Sequence, residues 1–291
     1  MKILFMAIAV CLVIRIVHAQ ESKNPIGIDV GTAFTHNNLD WSIAGSLAGN
    51  NPNILSEVKW KSLKGTAVAV GLEIPLLKSF YLKGSWSKSF TYKGAATDTD
   101  YAEDNRTNPV YKAELNSESG YLSNYQLKAG YHLTIAGLKL SLNLGYSIQQ
   151  QHLHLTDDGF TELNSTYKTR WNGLSAGATF YKSIYKFNLI TTMDYHQLNY
   201  YAEADWNLID EFKHPLSFKH IAKGFGVTID VKLLYKMLKP ISPYINFGMG
   251  YFSTGAGIDE LYYTDGRTAK TRLNDVSRNG YNLGFGLKIT I

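Results

Sequence analysis

The chain has 291 residues, a formal net charge of +5 and 18% charged residues, without a dense block of Lys or Arg, so its composition gives little support to nucleic-acid binding. A single cysteine excludes an intramolecular disulfide, so a large core or a lipid bilayer must supply the stability. The 20 Tyr, 13 Phe, 5 Trp and 25 Gly beside 7 Pro are typical of a membrane β-barrel, although a soluble β-sandwich also fits.

The first 19 residues have the pattern of a cleavable secretory signal, with a basic start, a short apolar run and a small residue, Ala19, at the end. The run is much shorter than the roughly 20 residues of a spanning helix. Cys11 lies inside it, and we interpret this residue as apolar signal content. We therefore predict a signal peptide at 1–19 and one mature domain at 20–291.

Residues 21–38 are less regular than the rest of the mature chain. They fit an extra strand piece, a plug segment or a tethered N-terminal lead-in, and the lead-in is the interpretation that we favour.

Most of the remaining chain alternates apolar and polar residues with period two, which places the two sets on opposite faces of a strand. The pattern is clearest in 281–291, where odd positions are large and apolar and even positions are small or polar. Such alternation fits a barrel with an apolar outer surface and a water-filled lumen, but by itself it does not show which face of the strand points outward. The ten predicted strands are approximately 39–47, 55–74, 80–96, 121–135, 138–149, 166–180, 185–205, 217–237, 241–254 and 281–291.

The predicted connections alternate between short turns and long polar loops, which is the arrangement of bacterial outer-membrane barrels. We expect the short turns at 75–78, 136–137, 182–184 and 238–240, and long loops that include 97–119 and 255–279. Several strands exceed the roughly 10 residues that span lipid, so the barrel should project beyond the membrane. The fold class predicted is all-β, a single antiparallel transmembrane β-barrel of about ten strands.

A cluster of carboxylates follows the third predicted strand. Asp98 and Asp100 are two positions apart on one extended edge, with Glu103 and Asp104 close behind. Such a pair can share a proton, bind a cation or orient a water for attack on a carbonyl. Polar loops are also rich in acids for solvation alone, so the pair does not establish catalysis.

A second motif, Asp205-Trp206-Asn207, closes the seventh predicted strand. Together the two motifs resemble the omptin family of outer-membrane proteases, ten-stranded barrels with an Asp-x-Asp pair and an Asp-x-His pair on facing walls of a rim groove. Asp98 and Asp100 are similar to the first pair. Asp205 matches the second, but Asn207 stands where the family has its catalytic histidine. Residues 56–61 and 279–283 are similar to the family's second and last strands.

The resemblance implies that an Asp-His couple activates water, and that Glu203 occupies the position of an acid that receives a basic substrate side chain. An asparagine amide cannot accept a proton at neutral pH, and loss of a general base costs about 10²- to 10⁴-fold in rate. His214 follows a predicted loop tip, so a hairpin would place it opposite Asn207. It is our candidate replacement base, whereas His196 and His220 are expected to lie deeper in the barrel.

These observations leave two main hypotheses and one weaker one. The chain is either an aspartic-type, omptin-like endopeptidase with altered chemistry that cleaves at basic residues, or a non-catalytic barrel for adhesion, surface binding or envelope structure. A narrow porin is the weaker third alternative. No cofactor or metal is expected, and His152 and His154 are interpreted as a solvated strand end. The expected partners are outer-membrane lipid or lipopolysaccharide and peptide or protein substrates, in the outer membrane of a Gram-negative bacterium after signal-peptide cleavage.

Overall fold

A computed structural model describes residues 25–236 and 240–291. The predicted signal peptide at 1–19 and part of the predicted turn at 238–240 lie outside them. Within the described residues there is no helix long and apolar enough to cross a bilayer. The strands are β1 (Gly27–Ile43), β2 (Ser56–Pro75), β3 (Phe80–Glu103), β4 (Thr107–Asn116), β5 (Gly120–Ile135), β6 (Leu138–Thr156), β7 (Asn164–Ile184), β8 (Phe187–Asp205), β9 (Phe218–Tyr235), β10 (Ile241–Thr254), β11 (Gly257–Tyr262) and β12 (Thr268–Thr290).

The sheet closes into a barrel because β12 pairs with β1 along the full length of β1, from Gly27 opposite Thr290 to Ile43 opposite Leu273. Two of the twelve strands are continuations of others. β4 and β5 pair with successive parts of β3, and β10 and β11 pair with successive parts of β9 and β12. The wall therefore consists of ten antiparallel strand paths, which confirms the predicted fold class.

Three predicted irregular regions are strands. The favoured lead-in at 21–38 is wrong from Gly27 onward, because that segment is the part of β1 that closes the barrel. The predicted loops at 97–119 and 255–279 are mostly the paired ends of β3 and β4 and of β11 and β12. Their polar composition suits strands with one face in water, so polarity alone does not distinguish them from loops.

The short turns define one end of the barrel. Ala136 and Gly137 form the two-residue turn predicted between β5 and β6, with φ of 49° and 80° as a type I′ hairpin turn requires. The next turn is Tyr185-Lys186, slightly later than the predicted 182–184. We call the strand segments next to these turns the bilayer half, and those at the opposite end the rim half.

The outer surface of the bilayer half is apolar. Phe34, Leu127, Leu144, Leu174 and Leu283 point outward and are 57–69% exposed. The inward positions of β5 to β8 carry polar side chains, and these are buried: Ser123, Lys128, Ser141, Asn143, Ser147, Ser175, Thr179, Asp194 and His196. An apolar outer surface around a polar lumen is the arrangement that a bilayer stabilises.

The lumen of the rim half is filled instead by a hydrophobic cluster, which we call the rim core. Its members are Leu39, Trp41, Ile43, Val58, Trp60, Leu63, Ala96, Leu153, Leu155, Tyr167, Trp171, Leu198, Tyr200, Ala202, Ala204, Phe218, Ala222, Phe252, Leu273 and Val276. The barrel thus has a polar interior at bilayer depth and a packed apolar interior next to the rim.

Candidate functional site

The acid pair lies on the rim half of β3, where Asp98 is opposite Val58 of β2 and Asp100 is opposite Ser56. In the bilayer half of β3 the odd positions, such as Tyr81 and Ser89, are buried toward the lumen. Register irregularities between β2 and β3, at Lys61 to Gly65 and Thr91 to Lys93, reverse this parity. The two acids therefore share the inward side of the wall with the rim core.

Burial dominates the electrostatics of the acid pair. Asp98 is only 9% exposed, and burial, followed by the neighbouring charge of Asp100, raises the pKa of Asp98 to about 7. Burial also raises the pKa of Asp100, while a hydrogen bond from Ser56 acts in the opposite direction. A carboxyl group that titrates near neutral pH can both donate and accept a proton, as general acid–base catalysis requires.

Tyr111 of β4 is a neighbour of the acids that sequence analysis missed. It pairs with Asp100 across the β3–β4 ladder. Its pKa is raised by burial and then by the charges of Asp98 and Asp100, so its hydroxyl remains a hydrogen-bond donor next to the pair. The signal that would have revealed it was the alternation within 107–116, which we interpreted as part of a loop.

On another part of the rim, Asp205 at the end of β8 contacts His214. The imidazole Nδ1 lies 2.6 Å from Asp205 Oδ1, and Nε2 lies 3.3 Å from the carbonyl oxygen of Ile209. The connection folds back because the Ser217 amide donates to the Ala204 carbonyl oxygen at 2.8 Å. The predicted hairpin therefore exists, but its histidine pairs with Asp205 rather than lying opposite Asn207.

Asn207 holds the start of β7. Its Oδ1 accepts hydrogen bonds from the Asn164 amide at 2.9 Å and the Ser165 hydroxyl at 3.2 Å. Its Nδ2 donates to the Glu162 carbonyl oxygen at 2.8 Å. Asn207, at the position of the omptin histidine, therefore joins the end of β8 to the start of β7 through both polar atoms of its side chain.

Trp206 connects the two motifs. Its indole side chain donates a hydrogen bond to Asp98. The ring packs against Phe218, with centroids 4.8 Å apart, and against Trp41, with centroids 6.3 Å apart. The acid pair and the Asp205-His214 pair are therefore joined through one aromatic residue that rests on the rim core.

Glu203 lies elsewhere. It is exposed on the outer face of β8, between the buried Ala202 and Ala204, and accepts a hydrogen bond from the Tyr201 hydroxyl at 2.7 Å. The barrel wall separates this face from the inward side that carries Asp98. Its role in substrate binding remains a prediction, which this outward position does not favour.

The other histidines are held in polar networks. His196 is buried, with Nδ1 3.1 Å from the Ser147 hydroxyl. His220 is fully buried, with Nδ1 2.7 Å from the Tyr167 hydroxyl and Nε2 3.2 Å from Asp259 Oδ1. His152 and His154 are partly buried, and their rings are in tilted contact with centroids 4.5 Å apart. In the described part of the chain, no group of three or more His, Cys, Asp or Glu residues is arranged to hold a metal ion.

Comparison with solved structures finds the same barrel in an outer-membrane protease. OmpT from Escherichia coli is 15% identical, with 93% of this chain and 98% of that chain covered and a TM-score of 0.73. The translocator domain of the autotransporter NalP from Neisseria meningitidis is 11% identical over 99% of this chain and 97% of that chain, but its TM-score is 0.40. At these identities the OmpT match shows the fold alone, and the NalP match is too loose to support an inference.

Comparisons by sequence give the family. No curated protein matches the chain. A family model described as "Pom: Protochlamydia outer membrane protein" matches residues 29–291, which include all twelve strands except the first two residues of β1. The similarity to omptins therefore holds for the barrel, and the family that the sequence comparison shows is the one matched by this model. The chain is an outer-membrane β-barrel that belongs to the Protochlamydia outer membrane protein (Pom) family.

Proposed function

We propose that the rim site of this barrel hydrolyses peptide bonds and that His214, not the residue at position 207, is its general base. The observation that carries the proposal is the 2.6 Å contact between His214 Nδ1 and Asp205 Oδ1. It supplies an Asp-His couple next to Trp206, which contacts the acid pair. The similarity of the fold to the outer-membrane protease OmpT adds support to the choice of reaction.

In the proposed mechanism, Asp205 accepts the Nδ1–H hydrogen bond and so fixes the tautomer in which Nε2 has a free lone pair. Nε2 then removes a proton from a water that attacks the scissile carbonyl. The Ile209 carbonyl oxygen lies 3.3 Å from Nε2. The catalytic step therefore requires Nε2 to leave this contact and turn toward the water.

The acid pair has a complementary role in the proposal. Asp98 has a pKa of about 7, so near neutral pH it is protonated in part of the molecules and can donate to the carbonyl oxygen or the leaving amine. Asp100 orients the water through its carboxylate. The concentration of acids at the rim favours peptides with Lys or Arg near the cleaved bond.

The test is cleavage of quenched fluorescent peptides that contain Lys or Arg, by the full-length mature protein folded in detergent. We expect His214→Ala to lower kcat by about 10²- to 10⁴-fold, as loss of a general base does. The matched control is His154→Ala, which removes another imidazole at the same end of the barrel and should leave kcat unchanged. Heat-modifiable migration on gels verifies folding of each variant.

Two outcomes reject the proposal. One is that the folded wild-type protein leaves every peptide of the panel intact, which would instead support a non-catalytic barrel. The other is equal activity of wild type and His214→Ala. Introducing the omptin residue by Asn207→His is a weaker test, because that change also removes the hydrogen bonds to Glu162, Asn164 and Ser165.

A further inference from the structure

A cavity of about 420 Å³ lies in the lumen of the bilayer half, below the rim core. We call it the lumenal chamber. It offers many times the volume of about 30 Å³ that one water occupies in the liquid. Its size therefore admits a small solute in addition to water.

The charges that line the lumenal chamber do not cancel. Seven side chains are charged: Asp29, Asp194 and Asp230 are acidic, whereas Lys83, Lys128, Lys232 and Arg278 are cationic. With histidine neutral, four cations and three acids leave a net charge of +1. The excess of positive charge would be compensated by one bound anion.

The acids already have partners other than Arg278. Lys128 Nζ lies 2.6 Å from Asp194 Oδ2, and Lys232 Nζ lies 3.0 Å from Asp29 Oδ1. Asn246 donates to Asp230 at 3.3 Å. Among the residues that the structure describes, no carboxylate lies within 4.0 Å of the Arg278 guanidinium nitrogens or of Lys83 Nζ, so these two lining cations have no acid at contact distance.

Arg278 is held rigidly at the upper edge of the chamber. It is 4% exposed, and its guanidinium lies over the Phe252 ring, 4.1 Å from the centroid. Nη2 donates to Gln149 Oε1, which is neutral, while Nη1 is buried without a hydrogen-bond partner in the described part of the chain. A buried guanidinium with an unused donor is costly unless a ligand satisfies it.

We propose that the lumenal chamber binds a small oxyanion through Arg278, with a phosphate or carboxylate group as the recognised chemistry. The planar guanidinium matches both groups and binds them more strongly than a spherical halide, because it donates along directed hydrogen bonds. This site is separate from the rim, and the proposal does not depend on peptidase activity.

The experiment compares the thermal unfolding of the folded protein in detergent with sodium phosphate, sodium acetate or sodium chloride at equal pH and ionic strength. A ligand that binds only the folded state raises the Tm. We expect phosphate or acetate to raise the Tm by a few degrees relative to chloride, and the larger of the two shifts identifies the preferred group. Equal Tm values in the three salts would overturn the proposal.

Two variants assign the shift to Arg278. Gln149→Glu supplies an internal carboxylate to the guanidinium, so it should raise the Tm in chloride and abolish the response to added oxyanion. Lys83→Gln is the matched control, because it removes another cation of the chamber and should keep the response. Loss of the response in Lys83→Gln but not in Gln149→Glu would show general charge attraction and overturn the assignment.

Arg278→Gln should also abolish the response. If that variant does not fold, Gln149→Glu remains decisive, because it keeps the guanidinium and adds only the charge that the proposal requires.

Discussion

The bilayer half and the rim half use the same strands in opposite ways. On β8, the inward residues of the bilayer half include Asp194 and His196, while Met193 and Tyr195 point outward. A few residues later the inward positions are Leu198, Tyr200, Ala202 and Ala204, and the outward positions include Asn199 and Glu203. Polarity inverts along a continuous strand, because one half faces hydrocarbon and the other faces water.

One sheet is therefore stable both in the hydrocarbon of a bilayer and in water. The bilayer half gains stability from an apolar exterior and tolerates a polar lumen, whereas the rim half must bury apolar side chains inside, as a soluble barrel does. This difference also explains the location of the candidate active site. Asp98 lies next to the rim core, and its burial there is the main cause of its raised pKa.

The largest expected effect comes from the rim core. Trp60 is 1% exposed and stacks on Tyr167 with centroids 5.2 Å apart. Trp60→Ala should lower the free energy of unfolding by about 3–5 kcal/mol, because it leaves a cavity in a packed interior. The measurement is denaturant unfolding of the folded protein, followed by tryptophan fluorescence.

Trp86→Ala is the control for that change. Trp86 lies in the bilayer half of β3, opposite Val70 and Tyr125, both of which are exposed on the outer surface. Lipid or detergent chains can fill the space that this substitution leaves, so its cost should be well below that of Trp60→Ala. Equal costs would contradict the distinction between a packed interior and a lipid-facing surface.

The next effect concerns the outer surface. Leu144 of β6 is 68% exposed in the bilayer half. Leu144→Arg should destabilise the barrel in liposomes by about 2–4 kcal/mol, the range for a basic residue at the bilayer midplane. Asn199→Arg on the outer surface of the rim half should change stability by less than about 0.5 kcal/mol. If both substitutions have the same small cost, the proposed position of the bilayer is wrong.

A pH dependence is also expected at the rim, and within any one pH unit it is smaller than the effects above. Burial raises the pKa of Asp98 from 3.8 to about 7, so the folded state binds this proton more tightly than the unfolded chain does. The contribution of Asp98 to stability should therefore fall as pH rises from about 4 to about 7, by at most about 1.4 kcal/mol per pH unit. Unfolding free energies measured across this window should fall less steeply in Asp98→Asn. Parallel profiles in the two proteins would show that Asp98 has an ordinary pKa.

Sequence analysis predicted much of the barrel because period-two alternation and short turns are local. Residues 138–149 show both, and the strand predicted there, which continues to Thr156, and the preceding Ala136-Gly137 turn are confirmed. The prediction failed where apolar residues change sides or become sparse. The parity change near Lys61 to Lys64, and the polar ends of β3 and β12, have no consistent apolar face in the sequence.

The sequence by itself determined the antiparallel barrel, the order of its strands and the presence of acids in two separated motifs. Only the tertiary structure decided which side each face points to, because alternation is symmetric with respect to inside and outside. It also decided that His214 contacts Asp205 and that Asn207 joins two strand ends, since both depend on how the connection after β8 folds back. Contacts between residues on different strands are set by register and bulges, which local patterns do not encode.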